Sequence, residues 1–316
     1  MDRWIFLSGM MGSGKSTVAL EAARRAGADA VDLDARIVAA AGKSIPEIFQ
    51  AEGEAGFRAR ESEALERLLA ERGPKVVALG GGTVLRAESR RRLLDRGVLL
   101  TLSASAEELA RRVEGNADRP LLSRGETVRV VEALLAERAG VYAECHATVP
   151  TTGRDPGAIA DEALRISARP PIPVPLGTRT YRVEVGRGLL AGLRAHVAAR
   201  LPGAVVLVTD ENVRAPWAER AAEEVRAAGR ALTTVVLTPG EEHKRIAAVE
   251  RIWDAALEAR IDRSGAVLAV GGGVVGDLAG FAAATLLRGI RFAQCPTSLL
   301  AMVDASVGGK TGFDRD

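Results

Sequence analysis

Residues 9–17, Gly9-Met10-Met11-Gly12-Ser13-Gly14-Lys15-Ser16-Thr17, follow the pattern G-x-x-x-x-G-K-[ST]. A triphosphate is a dense anion, and this pattern suits it. Glycines let backbone N–H groups converge on phosphate oxygens, and a helix opening at the loop adds partial positive charge. Lys15 is expected to reach the β- and γ-phosphates, and the Ser16 hydroxyl to ligate Mg²⁺. Gly12, Ser13, Gly14 and Thr17 count with them as nucleotide-binding positions. A second chemical pair follows at Asp32 and Asp34. If residues 30–34 end a strand, alternation sets both acids on one side. Asp32 could then hold the Mg²⁺ shell and Asp34 accept a proton from a substrate hydroxyl. The alternative is a helix N-cap at Asp34 with Asp32 solvated.

Further candidates recur along the chain. Gly80-Gly81-Gly82 would let a small molecule approach the backbone closely. Residues 116–122 form a polar loop around Arg119, of the kind that closes over a nucleotide and brings a cation to the transferring phosphoryl group. Residues 271–276 read formally as G-x-G-x-x-G, and Asp277 follows. No Asp or Glu occurs from 278 to 303, so the acidic ribose partner of a standard dinucleotide fold is missing. A glycine-lined pyrophosphate site remains compatible with the pattern.

The elements that must position these residues follow a strand–helix alternation, which predicts an α/β protein. Residues 4–7 are a short apolar strand feeding the glycine loop, and 18–26 hold good helix formers. An apolar patch at 45–49 precedes a long helix over about 53–71. Strands are expected at 75–79, 98–102 and 147–151, with helices at 106–114, 128–145 and 156–168. Four prolines in residues 169–177 predict an extended spacer, which marks the boundary between residues 1–168 and 178–316. Beyond it, strands are expected at 180–185, 204–208, 234–237 and 266–270, with a helix over 278–287.

Composition narrows the class. The 316 residues suffice for two domains, and 47% hydrophobic content supports packed cores. A net charge of +2 and only two Tyr and three Trp give no case for nucleic acid. No apolar run reaches the roughly 18 residues of a membrane span. A strand beginning at Trp4 leaves no room for a signal peptide, and two cysteines imply no disulfide framework, so the reading is a cytoplasmic protein. Only five of the 43 basic residues are lysines. Lys15, Lys244 and Lys310 fall in motifs where a compact ammonium has a use, whereas Lys43 and Lys75 do not.

Taken together, the glycine loop, Asp32-x-Asp34, Phe57-Arg58-x-x-Glu61, Gly80-Gly81-Gly82, Arg119-Pro120-Leu121-Leu122 and Arg138-x-x-x-Tyr142 resemble shikimate kinase over residues 1 to about 168. The resemblance implies a P-loop kinase domain with a parallel sheet and a helical lid, using ATP and Mg²⁺. It assigns shikimate to Asp34, Arg58, Gly81 and Arg138. The two arginines suit a carboxylate, which a guanidinium fork grips in a bidentate manner. It makes Lys15, Asp34 and Arg119 catalytic and puts Arg112 and Arg154 near adenine.

Residues 271–289, followed by 295–312 with Cys295-Pro296-Thr297-Ser298 and Gly308-Gly309-Lys310-Thr311-Gly312, resemble 3-dehydroquinate synthase, and the match extends back to about residue 178. This resemblance implies a Rossmann-like NAD-binding α/β domain. NAD falls to Asp210, Asn212, Glu241, Lys244, Gly273, Val274, Val275, Gly276, Asp277, Thr297 and Ser298, and a phosphorylated seven-carbon sugar acid to Arg288, Asp304 and Lys310. That family's zinc (or cobalt) ligands, one Glu and two His, belong to a C-terminal helical partner downstream of this stretch. His146, His196 and His243 are scattered. The expectation is therefore an incomplete synthase, part of a longer fusion, with small-molecule partners and no nucleic acid or membrane. Oligomeric state stays open, a dimer through the synthase part being one option. The alternative function is a P-loop kinase of another small hydroxy acid, such as gluconate, joined to a non-catalytic NAD-binding module.

Overall fold

The computed structural model describes residues 3–113 and 124–315, which divide into two compact units, Met1–Glu184 and Val185–Asp316. In the first unit the order is β1 (Trp4–Ser8), α1 (Lys15–Ala26), β2 (Asp29–Asp32), α2 (Leu33–Ala41), α3 (Ile45–Leu69), β3 (Lys75–Ala78), α4 (Ala87–Arg96) and β4 (Gly97–Ser103). Then come α5 (Ala106–Val113), α6 (Arg124–Ala143), β5 (Ala147–Pro150), α7 (Pro156–Ala168), β6 (Ile172–Val174) and β7 (Tyr181–Val183).

Five parallel strands form one sheet in the order β2-β3-β1-β4-β5. β1 is paired on both edges and buried throughout, as expected of a central parallel strand. Trp4 and Phe6 face Ile37, Ile48 and Leu65 of α2 and α3, while Ile5 and Leu7 face Ala22, Ile159 and Ala163 of α1 and α7. The phosphate loop thus leaves the most enclosed strand of the unit.

Three expectations change here. β2 ends at Asp32 rather than Asp34. The Asp32 carboxylate caps α2 by accepting from the Ala35 N–H at 3.1 Å, so Asp34 sits in the first helical turn. Both readings of the pair therefore need correction, because Asp32 is the cap and it is not merely solvated. The patch at 45–49 is helical, started by a Ser44–Glu47 capping box and interrupted at Gly53 (φ 68°). Finally, the proline-rich stretch is not a spacer between units. β6 and β7 pair antiparallel and belong to the first unit, so the strand expected at 180–185 does not join the second.

His146 lies beside this hairpin. It is 9% exposed, and its Nδ1 accepts the Leu99 N–H at 3.0 Å. Burial, with the nearby Arg3 and Arg182 charges, pulls its pKa down to about 4 from 6.5. Folding then favours the neutral ring. Its contribution is intact above pH 6.5 and is lost as pH falls toward 4, on the order of 2–3 kcal/mol in all. Thermal melts between pH 7 and 4.5 should show a shallower acid loss for His146→Gln than for the parent. Parallel curves would remove His146 from the acid response.

The second unit runs α8 (Leu193–Arg200), β8 (Val205–Asp210), α9 (Glu219–Ala227), β9 (Leu232–Leu237), α10 (Ile246–Glu258), β10 (Ala266–Gly271), α11 (Gly273–Thr285) and β11 (Arg291–Pro296). Its sheet is parallel with order β11-β10-β8-β9. Val206, Val208 and Val267 pack toward α10 and α11, and Val205, Leu207 and Leu268 toward α8 and α9. The order reverses between β8 and β10, where open α/β sheets form their ligand crevice. Both units are α/β, as the strand–helix alternation predicts. α11 starts at Gly273, five residues earlier than expected, so the glycine run opens the helix instead of preceding it. Among the described residues no helix is long and apolar enough to cross a membrane.

Candidate active site

The phosphate loop turns on glycines. Gly9 has φ 135°, and a Cβ there would collide with the Leu102 carbonyl oxygen of β4. Gly14 (φ 91°) caps α1 in the left-handed region. The Ser13 N–H donates to Met10 O at 3.2 Å, while the Ser13 hydroxyl is fully buried with no hydrogen-bond partner among the described residues. Lys15 is the first residue of α1, and its ammonium donates to Gly9 O (3.0 Å) and Met10 O (3.1 Å). The cation is thereby held over the loop mouth at the positive end of the helix, a cradle that fits a polyphosphate.

The Ser16 hydroxyl donates to Asp32 Oδ2 at 2.5 Å. Two hard oxygen donors thus meet beside the loop, a donor set that fits Mg²⁺. On the other flank an open cleft of about 450 Å³ is lined by Ser13, Gly14, Thr17, Arg112 and Arg154, among others. Arg112 bridges Gly12 O and Thr151 O (3.2 Å each) and pairs with Glu108 at 2.7 Å. Arg154 donates to Pro150 O at 2.9 Å and pairs with Glu162 at 2.7 Å. Both guanidiniums are fixed at the wall of that cleft.

The acceptor side is built at the carboxyl end of β3. A Cβ on Gly80 would come 2.7 Å from Asp34 Oδ1 and 2.8 Å from Glu61 Oε1, and one on Gly82 would collide with the Arg58 guanidinium. Only glycines let these side chains lie against the backbone. Arg58 Nη1 donates to Glu61 Oε2 at 3.0 Å, and Nη2 reaches Glu54 at 3.3 Å. The Tyr142 hydroxyl donates to Gly81 O at 3.0 Å, and burial pushes its pKa up. One turn earlier on α6, Arg138 Nη1 lies 4.0 Å from Met10 Sδ, and its buried Nε has no hydrogen-bond partner among the described residues. A Cβ on Gly81 would stand 3.9 Å from Gly9 O, so the two glycine stretches adjoin. Asp34, Arg58, Gly81 and Arg138 are therefore gathered beside the phosphate loop. Arg119 and its lid lie outside the described residues.

Glu61, the last residue of Phe57-Arg58-x-x-Glu61, has a role that the motif alone does not assign. It is 3% exposed and holds both Arg58 and the Thr83 hydroxyl (2.8 Å). Its i,i+3 spacing from Arg58 on one helix was the available signal.

In the second unit most candidates gather at the carboxyl ends of the strands. Lys244 lies 2.9 Å from Asp277 and 3.2 Å from Glu241, and the Asp277 carboxylate raises its pKa. Asp210 Oδ1 accepts the N–H groups of Asn212 (2.9 Å) and Val213 (3.1 Å). Gly273, Val274, Val275 and Gly276 form the first turn of α11. Thr297 N donates to Gly271 O at 2.9 Å, and a Cβ on Gly272 would sit 3.5 Å from Ser298 Oγ. Lys310 pairs with Asp304 at 2.7 Å, both exposed. Arg288 is not brought to them. It follows α11, which runs back across the sheet, and so stands at the amino edge, with Leu287 (φ 53°) and itself (φ 69°) left-handed. Among the described residues no three His, Cys, Asp or Glu come together as metal ligands, so they form no zinc site.

Comparisons with known proteins match the two parts of the chain to different families. The family model "Shikimate kinase" matches residues 11–167, and "3-dehydroquinate synthase N-terminal" matches residues 234–316. A 3-dehydroquinate synthase of Rhizobium etli is 49% identical over 142 residues, covering 45% of this chain and 38% of the relative. One from Brucella ovis is 49% identical over 144 residues, with the same two shares. This chain thus spans 38% of the length of these curated relatives. Among solved structures, a shikimate kinase from Acinetobacter baumannii in complex with shikimate is 34% identical, covers 52% of this chain and 92% of its own, and gives a TM-score of 0.49. The chain carries a domain that matches the shikimate kinase family over residues 11–167 and, over residues 234–316, one that matches the N-terminal domain of 3-dehydroquinate synthase.

Proposed function

We propose that the first unit phosphorylates shikimate, using ATP and Mg²⁺, to give 3-phosphoshikimate. The observation that carries this reading is the gathering of Asp34, Arg58, Gly81 and Arg138 beside the phosphate loop. Two guanidiniums offer forks to one carboxylate, and a carboxylate at Asp34 stands ready to take the proton of an attacking hydroxyl. Lys15 balances charge on the γ-phosphoryl group, and Arg119 adds a second cation there. Gly12, Ser13, Gly14 and Thr17 cradle the phosphates, and Arg112 and Arg154 flank adenine. Ser16 and Asp32 hold Mg²⁺, which when bound neutralises phosphate charge. A coupled assay for ADP release with ATP, Mg²⁺ and shikimate tests this. Turnover no higher with shikimate than without it overturns the assignment, and faster turnover with gluconate would replace the acceptor.

For the second unit the reading is NAD binding at the carboxyl edge of the sheet. Gly273 to Gly276 meet the pyrophosphate at the start of α11. Asp210, Asn212, Glu241, Lys244, Asp277, Thr297 and Ser298 surround the rest. Asp304 and Lys310 would meet the sugar acid of the synthase reaction, together with Arg288 only if it is supplied from elsewhere. Calorimetric titration with NAD should give saturable heat, and its absence at millimolar NAD would refute the site.

A further inference from the structure

We propose that residues 169–184 act as a strap that positions the acceptor-binding helix, with Arg182 as its positioning residue. This rests on the kinase reading above. The segment is a closed hairpin, pairing Ile172 with Val183, Pro173 with Arg182 and Val174 with Tyr181. Its turn is tied by Thr180, whose hydroxyl donates to Gly177 O at 2.7 Å and accepts the Leu176 N–H at 3.0 Å.

The hairpin grips the end of α6 in three ways. First, the Arg182 guanidinium donates to the carbonyls of His146 (2.7 Å), Cys145 (3.2 Å) and Ala143 (3.2 Å). Ala143 ends α6 and its carbonyl also accepts the Cys145 N–H at 2.8 Å, while Cys145 and His146 follow the helix, so the cation ties this end of α6 to the turn into β5 and suits its partial negative charge. Second, the Gly177 N–H donates to Glu144 Oε1 at 3.0 Å, and Glu144 Oε2 accepts from Arg90 at 2.8 Å. That fastens the strap to α4. Third, the backbone at 177–178 lies flat on α6 at Gly140, where a Cβ would stand 3.3 Å from Thr178 N and 3.4 Å from Gly177 Cα.

The gripped stretch carries part of the acceptor site. Gly140 lies between Arg138 and Tyr142, and Ala143 follows Tyr142 directly. Tyr142 holds Gly81, and Arg138 stands over Met10 of the phosphate loop. Loosening the end of α6 therefore moves the groups proposed to grip the substrate carboxylate. The cleft assigned to adenine is lined instead from α1, α5, the turn after β5 and the start of α7.

The test compares the full chain with its Arg182→Gln, Arg182→Lys and Gly140→Ala variants in the shikimate-dependent ADP assay, with thermal melts alongside. The expected result for Arg182→Gln is a KM for shikimate raised about tenfold, the equivalent of 1.4 kcal/mol, with KM for ATP within about twofold. Arg182→Lys should recover part of that loss, since an ammonium still suits a helix C-terminus. Gly140→Ala should raise the same KM although alanine is the better helix former, which keeps the question answerable if Arg182→Gln fails to fold. Equal rises in both KM values, or a lowered melting temperature with both unchanged, overturn the proposal and leave the hairpin a merely stabilising element. Absence of shikimate-dependent turnover in the parent chain is a different result, since it overturns the kinase reading itself.

Discussion

Lys15→Met should lower kcat for shikimate phosphorylation by at least about a thousandfold while the protein stays folded. The side chain is held at the mouth of the loop by Gly9 O and Met10 O, at the first residue of α1. Methionine keeps most of the stem and removes the charge. What is lost is an ammonium aimed where negative charge develops, and removing one pre-placed group of this kind costs about 10²–10³, or more in phosphoryl transfer. The glycine backbone that shapes the loop is untouched, so melting should shift by only a few degrees. Turnover within about tenfold of the parent, at saturating ATP and shikimate, would take the catalytic role from Lys15.

The second large effect belongs to Arg58. Replacing it with alanine should raise KM for shikimate by roughly 10- to 150-fold, which is the loss of a charge-assisted pair worth about 1.5–3 kcal/mol. Arg58 has a second function that complicates the reading, because its Nη1 is a partner of the buried Glu61 carboxylate. Removing the cation leaves a desolvated charge, so Arg58→Ala should also lower stability. Arg58→Ala/Glu61→Gln separates the two effects. The double variant should regain stability but keep the high KM. If KM in both variants equals the parent's, Arg58 is a surface charge with a structural partner and no contact with substrate.

Much of this site was legible because its signals are local. The glycine loop carries its own turn chemistry, and a fully apolar strand of four or five residues between breakers has few other uses. Asp32 was harder. Its role as N-cap depends on where the strand stops, and strand alternation and capping compete over the same three residues. The sequence pattern allowed either. The hydroxyl of Ser16, sixteen residues away, decides how the other carboxylate oxygen is used. Glu61 was overlooked for a related reason, since an i,i+3 pair with Arg58 looks like any solvated helix face until Gly80 and Thr83 are seen to cover it. Arg288 shows the opposite failure. Motif order set it beside Asp304 and Lys310, but a helix that crosses the sheet carries it to the far edge. Proline content misled at 169–177, because proline is also tolerated in a two-stranded edge hairpin such as β6–β7.

That hairpin has a consequence for anyone who cuts or recombines this protein. A seam at the proline run, the obvious place on composition, would leave the carbonyls of Ala143, Cys145 and His146 without their guanidinium donor and strip Glu144 of a backbone partner. The kinase excised there would carry every motif of its family and still lack a buttress. A seam after Glu184 keeps the buttress with the half it serves. In modular terms, what looks like the joint between two enzymes is folded against the first.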